Sequence, residues 1–207
     1  MPIKIRPAMA TDIPQVHAIY SYYVQETVVT FMQNSPPLLS LMSKFQDITG
    51  RGLPFLVAVD DGADTETGTE TVLGYTYLSP FRGTMLSYGP TVELSLFVHR
   101  SHTNRGLGSL LLSTLLASLN NGGVKHLARE HPGIPGYEVV APDGGAPVRN
   151  VIACMALDTK DGKDGGEGLR RWYEKRGFVE RGRLKGVGFK KGRWIDTVYL
   201  QYTVPEQ

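Results

Sequence analysis

At 207 residues, with 41% hydrophobic and 20% charged residues, the chain has the size and make-up of one globular domain, not of a disordered or fibrous segment. Its 22 Lys and Arg against 20 Asp and Glu leave a net charge of +2, too small to mark nucleic acid as the main partner. No apolar run reaches the roughly 18 residues of a membrane helix, and the opening MPIKIRPA lacks the apolar core of a signal peptide. A single cysteine, Cys154, excludes an internal disulfide framework and fits a reducing compartment, so a cytoplasmic setting without a membrane partner is expected. Cys154 itself reads as a small buried strand residue.

Residues 3–6 alternate apolar and basic, a short first strand closed by Pro7. Thr11 is placed to cap a helix that begins at Ile13-Pro14 and shows Val16, Ile19, Tyr20 and Tyr23 on one face. Residues 26–31 read as extended. Pro36 and Pro37 introduce a second helix, 38–48, ended near Gly50 and Gly52. Residues 55–59 are a strand, 60–70 its exposed turn, and 72–78 the hairpin partner. A loop over 80–90 carries Phe81, Arg82 and Tyr88.

The most informative stretch is 91–116. Residues 91–99 mix β-branched, leucine and aromatic residues without a helical stripe, which suits a half-buried strand. Asn104-Arg105-Gly106-Leu107-Gly108 is a glycine turn, and from Ser109 the chain becomes leucine-rich at helical spacing. A helix starting there offers unpaired N–H groups and the positive end of its dipole, which suit phosphate oxygens. A plain strand-to-helix turn explains the same residues. A dinucleotide fingerprint would need glycine in place of Leu111, and the Gly-Lys-Ser/Thr of a nucleotide-triphosphate loop is absent. Glu93 lies on the strand as either a base or an exposed residue.

Downstream, 124–127 precedes a Gly/Pro-rich passage, and 148–157 reads as a continuous buried strand. The acidic insert 158–167 falls short of a calcium loop because Lys160 breaks the alternation of acids, so a solvated loop is expected. A short amphipathic helix over 169–176 holds Tyr173, as packing residue or as acid, and ends at Gly177. Residues 178–181 and 194–204 are the last strands, with KGVGFKKGR as the loop between them. The five histidines have no metal-ligand spacing, and no metal is expected; His99 and His102 flank the glycine turn. The order β-α-α-β-β-β-α-β-α-β-β predicts an α/β (α+β) fold in one domain, residues 1–207, with inserts near 129–147 and 158–168.

These pieces together resemble the GNAT superfamily of acyl-CoA-dependent N-acyltransferases, and within it the phosphinothricin acetyltransferase branch. The superfamily's pyrophosphate loop is matched by Thr103-Asn104-Arg105-Gly106-Leu107-Gly108. The branch's Thr-Val-Glu is Thr91-Val92-Glu93, and its upstream tyrosine is Tyr88. Its Tyr-Glu-Lys-x-Gly-Phe is Tyr173-Glu174-Lys175-Arg176-Gly177-Phe178. The pattern Gly-Phe-Lys-x-Gly-x-Trp-x-Asp begins at Gly188 and ends at Asp196. Three positions depart: Thr103 for the usual Gln or Arg, Arg82 alone where the branch carries two arginines, and Ile195 where some members have histidine.

The resemblance implies a mostly antiparallel sheet of about seven strands flanked by about four helices. It implies acetyl transfer from acetyl-CoA to the primary amine of a small amino-acid-like acceptor of the phosphinothricin or methionine sulfoximine type, in a ternary complex. Glu93 is then the base and Tyr173 the donor to the departing sulfur. Leu96, Phe97 and Val98 hold the thioester, and Thr103, Asn104, Arg105, Gly106, Leu107, Gly108 and Ser109 hold the pyrophosphate. Phe31, Arg82 and Tyr88 face the acceptor, with Tyr23 and Phe81 completing an aromatic pocket or simply the core. A homodimer is implied as well. A lysine or N-terminus on a protein is an alternative acceptor, and a decayed acyl-CoA-binding protein an alternative function.

Overall fold

The computed structural model describes residues 3–60, 70–120 and 123–205. In chain order come β1 (Ile3–Pro7), α1 (Ile13–Glu26), α2 (Leu38–Gly50), β2 (Phe55–Asp60), β3 (Thr71–Pro80), β4 (Thr91–Val98) and α3 (Leu107–Asn120). Four two-residue strands follow, β5 (Lys125–His126), β6 (Arg129–Glu130), β7 (Val139–Val140) and β8 (Ala146–Pro147). The chain closes with β9 (Asn150–Leu157), α4 (Glu167–Glu174), β10 (Val179–Lys190) and β11 (Arg193–Thr203). Leaving aside the four short strands, this is the predicted order. Most of the turn expected over 60–70 lies outside the described residues.

A mixed sheet of seven strands runs β1-β2-β3-β4-β9-β11-β10, antiparallel except where β4 meets β9. Helices α1 and α2 pack one face: Tyr20 and Tyr23 of α1 meet the Phe97 ring at centroid distances of 5.5 and 5.1 Å. Helix α3 covers the other with Leu107, Leu111, Leu112 and Leu115, all at 2% exposure or less. Each such leucine is worth roughly 1.5–3 kcal/mol of burial. Pairing at i and i+2 puts Glu93, Ser95 and Phe97 on the α1/α2 face and Leu94, Leu96 and Val98 on the α3 face.

The start of α1 differs from expectation. Thr11 is exposed and sits in a one-turn 3-10 segment (Ala10–Asp12), so it does not cap the helix. Asp12 organises the turn instead. Its carboxylate accepts from both terminal nitrogens of Arg6 at 2.7 and 2.9 Å and from the Met9 N–H at 2.7 Å. Burial alone would raise the Asp12 pKa, but these donors outweigh it and hold the group below its ordinary value.

The predicted loop between the last two strands is largely strand. β10 runs through Lys190, with register shifts between Glu180 and Gly182 and between Leu184 and Gly188. The turn is only Lys191-Gly192, at φ 48° and 74°, a two-residue hairpin whose left-handed pair follows the sheet twist. Gly188 has a local reason: a Cβ there would stand 2.0 Å from the Phe31 ring. Lys190, buried at 2% exposure, donates to the Thr30 carbonyl at 2.7 Å, and Gln33 Nε2 donates to the Phe189 carbonyl at 2.9 Å. The end of β10 thereby pins the irregular segment between α1 and α2.

The first insert is not a plain loop. β5 pairs with β8 and β6 with β7, and two contacts fasten this unit to the 80–90 loop. Glu130 accepts from the Leu86 N–H at 2.9 Å, and the buried His126 holds the Gly89 carbonyl through Nδ1 at 2.9 Å. The second insert is tied down by ion pairs, Asp158 with Arg193 at 2.8 Å and Asp164 with Arg171. No helix among the described residues is long and apolar enough to cross a membrane.

Gly188→Ala should force Phe31 off the sheet and cost about 1–3 kcal/mol, whereas Gly182→Ala, with nothing within 4 Å of its Cβ, should stay within about 0.5 kcal/mol. Thermal unfolding of the two variants checks this; equal melting temperatures would refute the packing role of Gly188.

Candidate active site

The parallel ladder between β4 and β9 is short. It pairs Thr91 with Asn150, Val92 with Val151, Glu93 with Ile152 and Leu94 with Ala153, and goes no further. Beyond that point each strand keeps its outer partner: β4 stays on β3 to Val98, and β9 stays on β11 to Leu157. The two strands therefore part, and backbone groups on their facing edges have no ladder partner. A cleft of about 300 Å³ opens in the gap, lined by Glu93, residues 94–98 of β4, residues 153–156 of β9, and Tyr23, Val29, Leu169 and Tyr173.

Residues from both faces of the sheet line the cleft. Glu93 approaches from the α1/α2 face. Burial lifts its carboxyl pKa, and the Lys44 ammonium only partly opposes that rise. Tyr173 approaches from the α3/α4 face, where it packs edge-on against Trp172 and Phe178 at 4.9 and 5.1 Å. Desolvation pushes its phenol up to about 12, so it is an O–H donor at any physiological pH. At the far end the Tyr23 hydroxyl donates to the Val98 carbonyl at 2.6 Å.

Next to the cleft, on the α3 face, stands the glycine turn. Asn104 and Gly106 take left-handed φ of 61° and 79°, and α3 starts at Leu107, two residues before the expected Ser109. Thr103, Asn104, Arg105 and Gly106 are exposed around the helix N-terminus, while Leu107 is buried. Gly108 lies 3.7 Å from both Leu96 and the Trp172 ring, measured from the Cβ it lacks. Two guanidinium groups flank this end: Arg105, bonded to His102 at 2.8 Å, and Arg176. Arg176 donates to the Ser109 hydroxyl at 2.6 Å and stacks over Trp172 at 3.9 Å.

Of the residues expected at the site, Glu93, Leu96, Phe97, Val98 and Tyr173 share this one cleft, and residues 103–109 form the helix entrance beside it. Phe31 does not line the cleft; its ring belongs to the Gly188 contact, and Val29 from the same segment lines the wall. Arg82 and Tyr88 are exposed on the neighbouring loop, where Tyr88 meets Phe81 edge-on at 5.4 Å and Arg82 lies 5.9 Å over the Phe81 ring.

Cys154 departs from the buried residue expected. It is exposed along the cleft and stands beside its cross-strand partner Tyr199, with its thiol pKa raised by partial desolvation and by Glu93. Its place follows from register, since Glu93 pairs with Ile152 and Cys154 is two residues further on the same face. Arg176 and Tyr199 were not singled out from sequence either. Arg176 stands at the variable position of its motif, and Tyr199 depends on β11 register, which only pairing reveals. Among the described residues no cluster of three or more His, Cys, Asp or Glu could hold a metal ion.

A family model described as the acetyltransferase (GNAT) family matches residues 14–133. A phosphinothricin N-acetyltransferase from Alcaligenes faecalis is 29% identical over 197 residues, 95% of this chain and 80% of that protein. An L-methionine sulfoximine/L-methionine sulfone acetyltransferase from Pseudomonas aeruginosa is 28% identical over 204 residues, 97% of this chain and 94% of that protein. The crystal structure of a GNAT superfamily phosphinothricin acetyltransferase from Sinorhizobium meliloti in complex with acetyl-CoA is 27% identical. It superposes at a TM-score of 0.75 over 100% of this chain and 90% of that one.

Proposed function

The chain belongs to the GNAT family of acetyltransferases, and from that premise we propose that it moves the acetyl group of acetyl-CoA to the primary amine of a small amino-acid-like molecule. The acceptor is of the phosphinothricin or methionine sulfoximine type, the substrates after which its relatives are named. One observation carries the reading: a carboxylate with a raised pKa and a neutral tyrosine enter the same inter-strand cleft from opposite faces of the sheet. Acetyl-CoA fits this chain because the Sinorhizobium protein, which holds it, shares the fold over the whole chain.

Transfer requires a neutral amine, a held carbonyl and a stabilised leaving thiolate. Glu93 takes the ammonium proton, directly or through a water, and its raised pKa brings it toward the range where it can do so near neutrality. The unpaired edge of β4 at residues 96–98 supplies N–H groups for the thioester oxygen. Attack by the amine breaks the carbon–sulfur bond, and the Tyr173 hydroxyl meets the departing sulfur. Residues 103–109 cradle the pyrophosphate at the start of α3, with Arg105 and Arg176 adding positive charge. Arg82 faces the acceptor's carboxylate, and Tyr88 closes the same side. Amine and thioester meet in one ternary complex, since residues from both faces of the sheet line the one cleft.

We also propose a homodimer and a cytoplasmic setting. Edge strand β10 leaves Val187, Phe189 and Leu184 at 54%, 53% and 46% exposure, and Trp194 at the start of β11, against Phe189, is at 70%, apolar surface that a second copy would cover. The free thiol of Cys154 suits a reducing compartment.

Acceptor-dependent CoA release, followed against pH, tests the chemistry. The acidic limb of turnover should inflect above the ordinary carboxylate value of about 4.3, because the base works only when deprotonated. Glu93→Gln should abolish that limb and lower turnover near pH 7 at least roughly tenfold. Tyr173→Phe should lower turnover while keeping the limb. An unchanged limb in Glu93→Gln would remove it from the mechanism. Sedimentation velocity tests the assembly: the native chain should run as a dimer and Trp194→Glu as a monomer, and a monomeric native chain would rule the dimer out.

A further inference from the structure

A second cavity, of about 140 Å³, lies on the α1/α2 face and is walled by Tyr20, Met32, Leu41, Lys44, Tyr75 and Tyr77. It lies one strand over from the cleft. Tyr75 and Tyr77 stand opposite Phe97 and Ser95 on β4, and those two residues line the cleft that contains Glu93. The two spaces therefore lie on one face over adjacent strands, whose backbones are about 4.8 Å apart. Lys44 reaches in from α2. Its ammonium donates to the Tyr77 hydroxyl at 2.7 Å and lies 4.7 Å over the Tyr77 ring. That contact uses one of three N–H donors, and Lys44 makes no ion pair among the described residues.

We propose that this cavity is the acceptor's side-chain subsite, and that Lys44 and Tyr77 together select amino acids whose side chain ends in an anionic oxygen group such as phosphinate, carboxylate or sulfonate. The inference rests on the function proposed above, which sets the amine at Glu93. Tyr77 opposes Ser95, two residues from Glu93, so Tyr77 and Glu93 are diagonal neighbours in the ladder, their backbones roughly 7–8 Å apart. An α-amino acid with a four- or five-atom side chain spans that distance. With its amine at Glu93 and its carboxylate toward Arg82, the methylene groups lie against Tyr20, Tyr75 and Met32, and the terminal oxygens meet the ammonium. The 80–90 loop contributes a single arginine, Arg82, so a doubly anionic acceptor needs its second cation from elsewhere, and α2 supplies it.

Phosphinothricin and methionine sulfone test this directly. Each carries a methyl and two oxygens on a tetrahedral centre at the same place in the side chain, anionic in the first and neutral in the second. Turnover is measured above the acidic limb, where removing the Lys44 charge no longer alters the ionisation of Glu93. The native chain should favour phosphinothricin in kcat/KM. Lys44→Met should lower the ratio of the two kcat/KM values at least about tenfold, through KM for phosphinothricin, as expected when a charge-assisted hydrogen bond is lost. Lys44→Arg should restore most of the ratio. Lys44→Gln is the second variant if the methionine form melts early. A fall of less than tenfold in a folded variant overturns the subsite and leaves the proposed function standing. Absence of CoA release by the native chain with either acceptor overturns both.

Discussion

Four residue pairs of parallel ladder join β4 to β9, and the remaining turns of both strands diverge while each stays bound to its outer neighbour. A sheet ordinarily satisfies its backbone groups strand to strand, so edges that part inside a sheet must find other partners. Here the opening is held rigid from both sides: β3 and α3 fix β4, and β11 fixes β9. The ladder-free edge is thus preorganised, which is the condition under which backbone N–H groups stabilise a developing oxyanion without reorganisation.

The same geometry sorts the chemistry by face. On the α3/α4 side lie the helix N-terminus, Arg105, Arg176 and the neutral Tyr173, a setting that favours phosphate oxygens and a departing sulfur. On the α1/α2 side lie Glu93, Cys154, Tyr199 and, reaching from α2 to Tyr77 on the next strand, Lys44. Glu93 sits between two opposing influences, desolvation that raises its pKa and the lysine charge that lowers it, and desolvation is the larger. A cofactor and an acceptor entering from different sides would meet only where the strands separate. The segment between α1 and α2 closes this side, and it is kept in place by the end of β10 through Gly188 and Lys190.

How much of this was legible in the sequence depends on whether the signal was local. The strand–turn–helix around Glu93 was legible because a glycine turn, a leucine-rich helix and a mixed apolar strand each leave a local mark. The two catalytic candidates were carried by motif spacing. What was lost depended on pairing partners. The run KGVGFK looks like a loop because glycine is disfavoured in strands, yet bulges let β10 continue through it, and Gly188 is small because Phe31 needs the space. The Phe31–Gly188 contact is invisible to sequence because the two residues meet only through the fold. Apolar neighbours make Cys154 look like core with two buried faces, and the parting of β4 and β9 exposes one of them. Thr11 looked like a cap, but the long-range Arg6–Asp12 pair decides that turn. Lys44 and Tyr77, 33 residues apart, carry no sequence mark of their contact.

Hydrogen exchange of the native chain with and without acetyl-CoA tests the central claim most directly, namely that the gap between β4 and β9 receives the thioester. Added acetyl-CoA should slow exchange at residues 95–98 and at 105–109 together, with much smaller changes on α2. Protection confined to the helix entrance, or appearing only on α2, would contradict it.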